Sequence, residues 1–380
     1  MTDKPRTLEP NIPDHLRVPR TRPLGAPPDF MPVTPNYSAR FAVSVKAIPM
    51  AFFGVQSRQK SAESERAVAA LEAGFSGTDA PKFWDRAEYE DEVGHFNSIM
   101  VGYWDDLPTY QNWQRAKPAD WWHPGASLNG ELGFFRECYT PGVDDTETTF
   151  GHTYPEGYSK IADRMSGDTD THEYWGSARD RIPRSQTDAL EPVGQPKATS
   201  TYDDETLARH IVVEPHENLC LLRSGQDWSV TDDVERKFYF DHVKPHLDIG
   251  MKEIRDKGRT FGCYFNRYMY LVGHNARLEK TYSLSAWHSL AELESWCKGG
   301  THLRIFNAGI KHYRTAGDKA MLRLYHEMSV VRAKDQSFEY FNCHRRTGML
   351  NAISSSQSSS LGHQTFMGTD TENGRVDARR

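Results

Sequence analysis

The sequence predicts an α+β fold: two ferredoxin-like (split βαβ) units in one chain, whose sheets can face each other as a barrel. Three observations predict it. Trp104, Leu107 and Trp113 recur as Trp287, Leu290 and Trp296 at a constant offset of 183 residues. Around each copy the hydrophobic pattern reads strand, helix, strand, strand, short helix, strand. Aromatic residues make up 12% of the chain although hydrophobic residues make up only 37%, so a packed core is diluted by polar segments.

Residues 1–40 form a Pro-rich arm, and residues 1–36 alone hold nine of the 21 prolines. Neither a helix nor a central strand can run through them, though an extended arm can pack across a folded body. The first repeat spans 41–150. Ala51–Val55 reads as a strand, and Ser61 can cap a helix that turns Val68, Leu71 and Phe75 to one face. Ile99–Tyr103 and Glu131–Tyr139 complete it as strands. Residues 151–208 have no counterpart in the other half and read as an insertion contributing to a functional pocket. The second repeat spans 209–350. Leu219–Leu222 is its first strand, and Thr231 is the expected cap of a long helix with Val234, Phe238, Leu247, Met251 and Ile254 inward and a kink at Pro245. Thr281–Ala286 and Met321–Val330 are its later strands. Residues 351–380 form a Ser-rich tail with almost nothing to bury.

Charge and cysteine usage narrow the function. With 46 basic and 52 acidic residues, the net charge of −6 disfavours a protein held by nucleic-acid phosphates. No apolar run reaches the roughly 18 residues that a membrane span needs. Residues 1–10 lack the apolar core of a secretory signal. Five scattered cysteines without a CxxC pair predict a reducing, cytoplasmic setting, with no disulfide framework and no zinc site. No Gly-rich phosphate loop or GxSxG run is evident.

Several residues stand out chemically. His326 lies on the apolar face of a predicted strand between Leu324 and Met328, where an imidazole needs a hydrogen-bond partner or a ligand. His302 shares one face of a predicted helix with Phe306 and Ile310, one way to hold a haem iron, although on that pattern alone a core histidine is the commoner case. Ser224 ends a predicted strand in Arg223-Ser224-Gly225, a pair that also makes ordinary turns. Arg179 lies in the insertion next to Asp180, where a surface ion pair is the plain alternative. Glu137 closes the first repeat beside two phenylalanines. His242 and His246 sit at zinc-ligand spacing, but without HExxH and with Pro245 between them they read as an exposed helix face.

Four wordy runs then carry a family resemblance: Tyr174-Trp175-Gly176-Ser177-Ala178-Arg179-Asp180-Arg181, Leu222-Arg223-Ser224-Gly225-Gln226-Asp227-Trp228, Thr301-His302-Leu303-Arg304-Ile305-Phe306, and Leu324-Tyr325-His326-Glu327-Met328-Ser329-Val330. Phe338–His344 and Thr347–Leu350 add to them. Over roughly residues 45–350 the chain resembles the haem-containing aldoxime dehydratases, phenylacetaldoxime dehydratase among them. The resemblance implies a haem-binding dimeric α+β barrel, haem b that is ferrous in the active form, a homodimer, and a lyase converting R–CH=N–OH to a nitrile and water. It implies His302 as the proximal iron ligand and His326 as the distal acid–base. It further implies Ser224 on the substrate oxygen, Arg179 in the distal pocket and Glu137 in the distal network. Two other classes stay open: a haem peroxidase or monooxygenase on the same barrel, and a non-catalytic haem sensor or carrier.

Overall fold

The computed structural model describes residues 7–116, 130–198, 210–273 and 276–353. The Ser-rich tail from residue 354 onward lies outside them, as do residues 1–6 of the arm and 199–209 between the halves. A 3-10 turn over Asp14–Leu16 precedes the short strand β1 (Ala39–Arg40). The first half runs β2 (Met50–Ser57), α1 (Ala62–Gly74), β3 (Phe83–Glu90), β4 (Phe96–Tyr103), α2 (Leu107–Ala116) and β5 (Gly133–Tyr139). Between the halves lie β6 (Thr146–Phe150), β7 (Arg164–Met165), the short helix α3 (Ser177–Arg181), β8 (Lys197–Ala198) and β9 (His210–Glu214). The second half runs β10 (Leu219–Asp227), α4 (Asp233–Phe238), α5 (Lys244–Lys257), β11 (Cys263–Val272), β12 (Arg277–Trp287), α6 (Leu290–Cys297), α7 (Gly300–Ala316) and β13 (Arg323–Val331), and β14 (Gln336–Phe341) follows.

Twelve strands form one antiparallel sheet in the order β6-β13-β10-β12-β11-β3-β4-β2-β5-β14-β9-β8. The first half contributes β3-β4-β2-β5 and the second β11-β12-β10-β13, so each half orders its four strands alike. They join where Tyr270–Val272 of β11 pair with Arg86–Glu88 of β3. Inward residues of both halves, among them Phe52, Tyr103, Phe135, Tyr282 and Leu284, make one core. Helices cover the opposite faces: α1 and α2 against Phe53 and Trp104, α5 and α6 against Cys220 and Trp287. Trp104 and Trp287 are both fully buried, which accounts for their shared place in the echo.

Local chemistry sets the elements. Ser61 caps α1 as expected, and Ser64 returns the bond in a capping box. Val68, Leu71 and Phe75 are buried. In the second half the cap is Asp232, not Thr231, whose hydroxyl instead donates to the Trp228 carbonyl. Val234 is 80% exposed, contrary to the single-helix expectation. The reason is a π-helical turn over Tyr239–Val243, which shifts the helix phase before α5 begins. Pro245 stands in the first turn of α5, where its missing N–H is not needed, so it starts a helix rather than kinking one. Leu247, Met251 and Ile254 are buried as expected.

The arm follows an extended path over the middle stretch. Glu9 bridges Thr169, β1 pairs with β7, and the Gly25 and Val18 amides donate to Asp180 and Gln186. Among the described residues no helix is long and apolar enough to cross a membrane.

Candidate active site between the second-half sheet and α7

Antiparallel register brings the site together. Ser224 of β10 lies directly opposite His326 of β13, so their Cβ atoms are about 5 Å apart on one face. Ser283 of β12 sits opposite Ser224, and Thr149 of β6 opposite His326. A polar row thus crosses four strands. Neighbouring Gly225 faces the other way, and a Cβ there would fall 2.2 Å from the Tyr325 ring. Glycine therefore lets β10 run beside β13 without displacing that ring.

His326 keeps an exposed surface on the sheet face toward the helices, although protein atoms crowd around its ring. That enclosure, reinforced by repulsion from His302 and Arg181, pushes its pKa down to about 4. None of the hydrogen bonds among the described residues ends on its ring nitrogens.

His302 is near the start of α7. Its Nδ1 lies 2.8 Å from the Cys297 carbonyl oxygen. A carbonyl can only accept, so Nδ1 carries the proton and Nε2 keeps a free lone pair. Burial lowers its pKa, which favours the neutral ring a metal requires. Trp296 packs against it with ring centroids 5.2 Å apart. Leu303, Ile305 and Ile310 of α7 are only half-buried, and a Cβ at Gly309 would meet nothing within 4 Å. Gly250 lets α5 approach closely, since a Cβ there would sit 2.5 Å from Ile305 Cδ1. A neutral imidazole fixed by a backbone carbonyl, beside partly uncovered apolar surface, fits a haem.

Arg179 and Glu137 have other partners. Arg179 grips Glu294 of α6 through two bonds of 3.1 and 2.9 Å and donates to the Ala189 carbonyl at 2.7 Å. Glu137 is fully buried on the inner face, bound bidentately by Arg267 at 2.6 and 2.7 Å and by the Tyr340 hydroxyl. The structure does not bring either to the Ser224–His326 row. Arg181 does act electrostatically on His326, and its Nε binds Glu147 Oε2 at 2.6 Å. Glu147 is buried on β6, opposite Met328 and so two residues from the His326 row. Its desolvation raises its pKa, against the pull of Arg181.

The Arg-Asp-Arg run contained the signal for Arg181. Glu147 had none, because Thr146-Glu147-Thr148-Thr149 carries no apolar alternation.

A family model described as haem-containing dehydratase matches residues 51–349. An aliphatic aldoxime dehydratase of a Pseudomonas species is 39% identical over 354 residues, covering 90% of this chain and 98% of the relative. The phenylacetaldoxime dehydratase of a Bacillus species (strain OxB-1) is 29% identical over 330 residues, 85% of this chain and 93% of its own. A crystal structure of an aldoxime dehydratase in complex with butyraldoxime superposes with a TM-score of 0.87 at 36% identity, over 93% of this chain and 99% of that one. The match thus runs through both halves, the stretch between them and the His302 and His326 elements alike, and the chain belongs to the haem-containing dehydratase family.

Proposed function

We propose that this chain is an aldoxime dehydratase that converts R–CH=N–OH to a nitrile and water with haem b held through His302. The observation that carries this is the Ser224–His326 pair on the sheet face that His302 acts on. Bound haem supplies an iron that activates the oxime N–O bond. The remaining chemistry falls to side chains. Ser224 Oγ holds the oxime hydroxyl beside His326. The imidazole gives one proton to the departing hydroxyl and takes the one leaving carbon, so it ends the cycle as it began. Arg181, held by Glu147, sets the charge beside that ring. Arg181 and Glu147 thus fill the distal positions that the resemblance assigned to Arg179 and Glu137.

Greater identity to the aliphatic relative supports aliphatic aldoximes as preferred substrates. The like strand orders of the two halves support a duplicated ferredoxin-like unit forming a dimeric α+β barrel. The homodimer follows from the family resemblance, and five free cysteines support a cytoplasmic setting.

The test is anaerobic. The purified protein is reduced, its Soret spectrum is recorded, and butyraldoxime and phenylacetaldoxime are supplied in turn. Nitrile should appear from both, faster from butyraldoxime. Protein without haem, or reduced holoprotein that turns over peroxide but makes no nitrile, would sink the reading.

A further inference from the structure

The helix that carries His302 is held at its far end. Of all residues in α7 only His312 is buried. Its Nε2 lies 2.9 Å from Glu235 Oε1. Glu235 belongs to α4, and the same oxygen accepts the Met321 and Leu322 amides at 2.9 Å each. Met321 and Leu322 lead into β13, the strand of His326. Beside this, the Tyr313 hydroxyl donates to the Leu322 carbonyl at 2.9 Å. One carboxylate from a distant element therefore ties the helix of one essential histidine to the strand of the other. Around His302 itself α7 is only half-buried. The Trp296 ring, the Cys297 carbonyl and the close approach of α5 at Gly250 hold that end of the helix, and the knot at 312–322 holds the other.

We infer that Glu235, acting through His312 and the Met321–Leu322 backbone, is a positioning residue that sets the spacing between the His302 helix and the His326 strand. The inference rests on the reading of His302 as the haem ligand. Removing Glu235 leaves two amides and an imidazole without their acceptor inside the fold, so α7 can drift from the sheet. A hydrogen bond to a charged group is worth about 1.5 kcal/mol or more, roughly tenfold in an equilibrium.

The experiment uses haem-loaded protein and four variants: Glu235→Ala, Glu235→Gln, His312→Leu and His312→Gln. Three quantities are read: the rate of haem transfer to excess apomyoglobin, the iron–histidine stretch of the ferrous form by resonance Raman, and kcat and KM for butyraldoxime. Glu235→Ala and His312→Leu should each speed haem loss about tenfold, shift or broaden the iron–histidine band, and lower kcat with KM little changed. Glu235→Gln and His312→Gln should recover most of this, because the amide oxygen can accept the same donors and the amide N–H can replace Nε2–H. If Glu235→Ala does not fold, the His312 pair decides. Haem loss and kcat within twofold of wild type in the disruptive variants overturn the proposal, and so do glutamine variants as impaired as Ala and Leu. Those results leave the haem reading intact. Wild-type protein that takes up no haem, or a ferrous spectrum unchanged by His302→Ala, overturns the haem reading and this proposal together.

Discussion

Arg179 and Arg181 are two residues apart on one helical turn, which aims them in nearly opposite directions. One reaches Glu294 on α6 and the other Glu147 on β6. Arg181→Lys keeps the cation but loses the planar fork, and should lower kcat about tenfold in haem-loaded protein. Arg179→Lys should leave kcat within about twofold, because its partners are Glu294 and the Ala189 carbonyl. Steady-state kinetics on both variants checks this, and the reverse ranking would restore Arg179 to the distal pocket. The sequence could not make the choice. It showed an Arg-Asp-Arg run and a Glu beside two Phe, but not which side chains a short helix and a strand turn toward the site. Ser224, His302 and His326 of the proposed site could be singled out because each sits in a long distinctive run, but His326 stays exposed beside Ser224 and Thr149 instead of buried on an apolar face.

At the scale of elements, hydrophobic spacing placed six strands, β2, β4, β5, β10, β12 and β13, and left the others without bounds. It also located α1, whose capping box is local chemistry. Ser61→Ala removes the bond to the Ser64 amide and should cost about 1 kcal/mol in urea denaturation without altering turnover by holoprotein. An unchanged urea midpoint would contradict that cap. The long helix of the second half was legible in its latter part only. Leu247, Met251 and Ile254 follow one phase, but the π turn before them depends on tertiary packing of Tyr239 and Val243 against Trp228 and Leu322. Such a turn has no local sequence signature, so Val234 was misplaced; the cap was missed by one residue because Thr231 and Asp232 are both good capping residues.

At the scale of the whole molecule, buried histidines set the acid response. Burial holds His216 near a pKa of 4, where its Nδ1 meets the Glu217 carbonyl and its Nε2 the Tyr264 hydroxyl. The unfolded chain binds a proton there below about 6.5, and the folded chain refuses it until about 4. The stabilising effect is therefore whole above pH 6.5 and is lost as pH falls toward 4. His216→Gln, which keeps both partners and cannot protonate, should lose roughly 2 kcal/mol less than wild type between pH 7 and pH 4.5. Equal losses in urea titrations would contradict the assignment. The same whole-molecule order, helices outside and one twelve-stranded sheet curling around a shared core, places α7 over the Ser224–His326 row. If His302 holds the haem while Ser224 and His326 carry the proton chemistry, the decisive measurement is nitrile formation from butyraldoxime in anaerobically reduced Ser224→Ala and His326→Ala, with the Soret and iron–histidine spectra taken on the same samples. Both variants should keep wild-type haem content and ligation while turnover falls at least about 100-fold. Unchanged turnover in either variant with haem retained would contradict that division of roles.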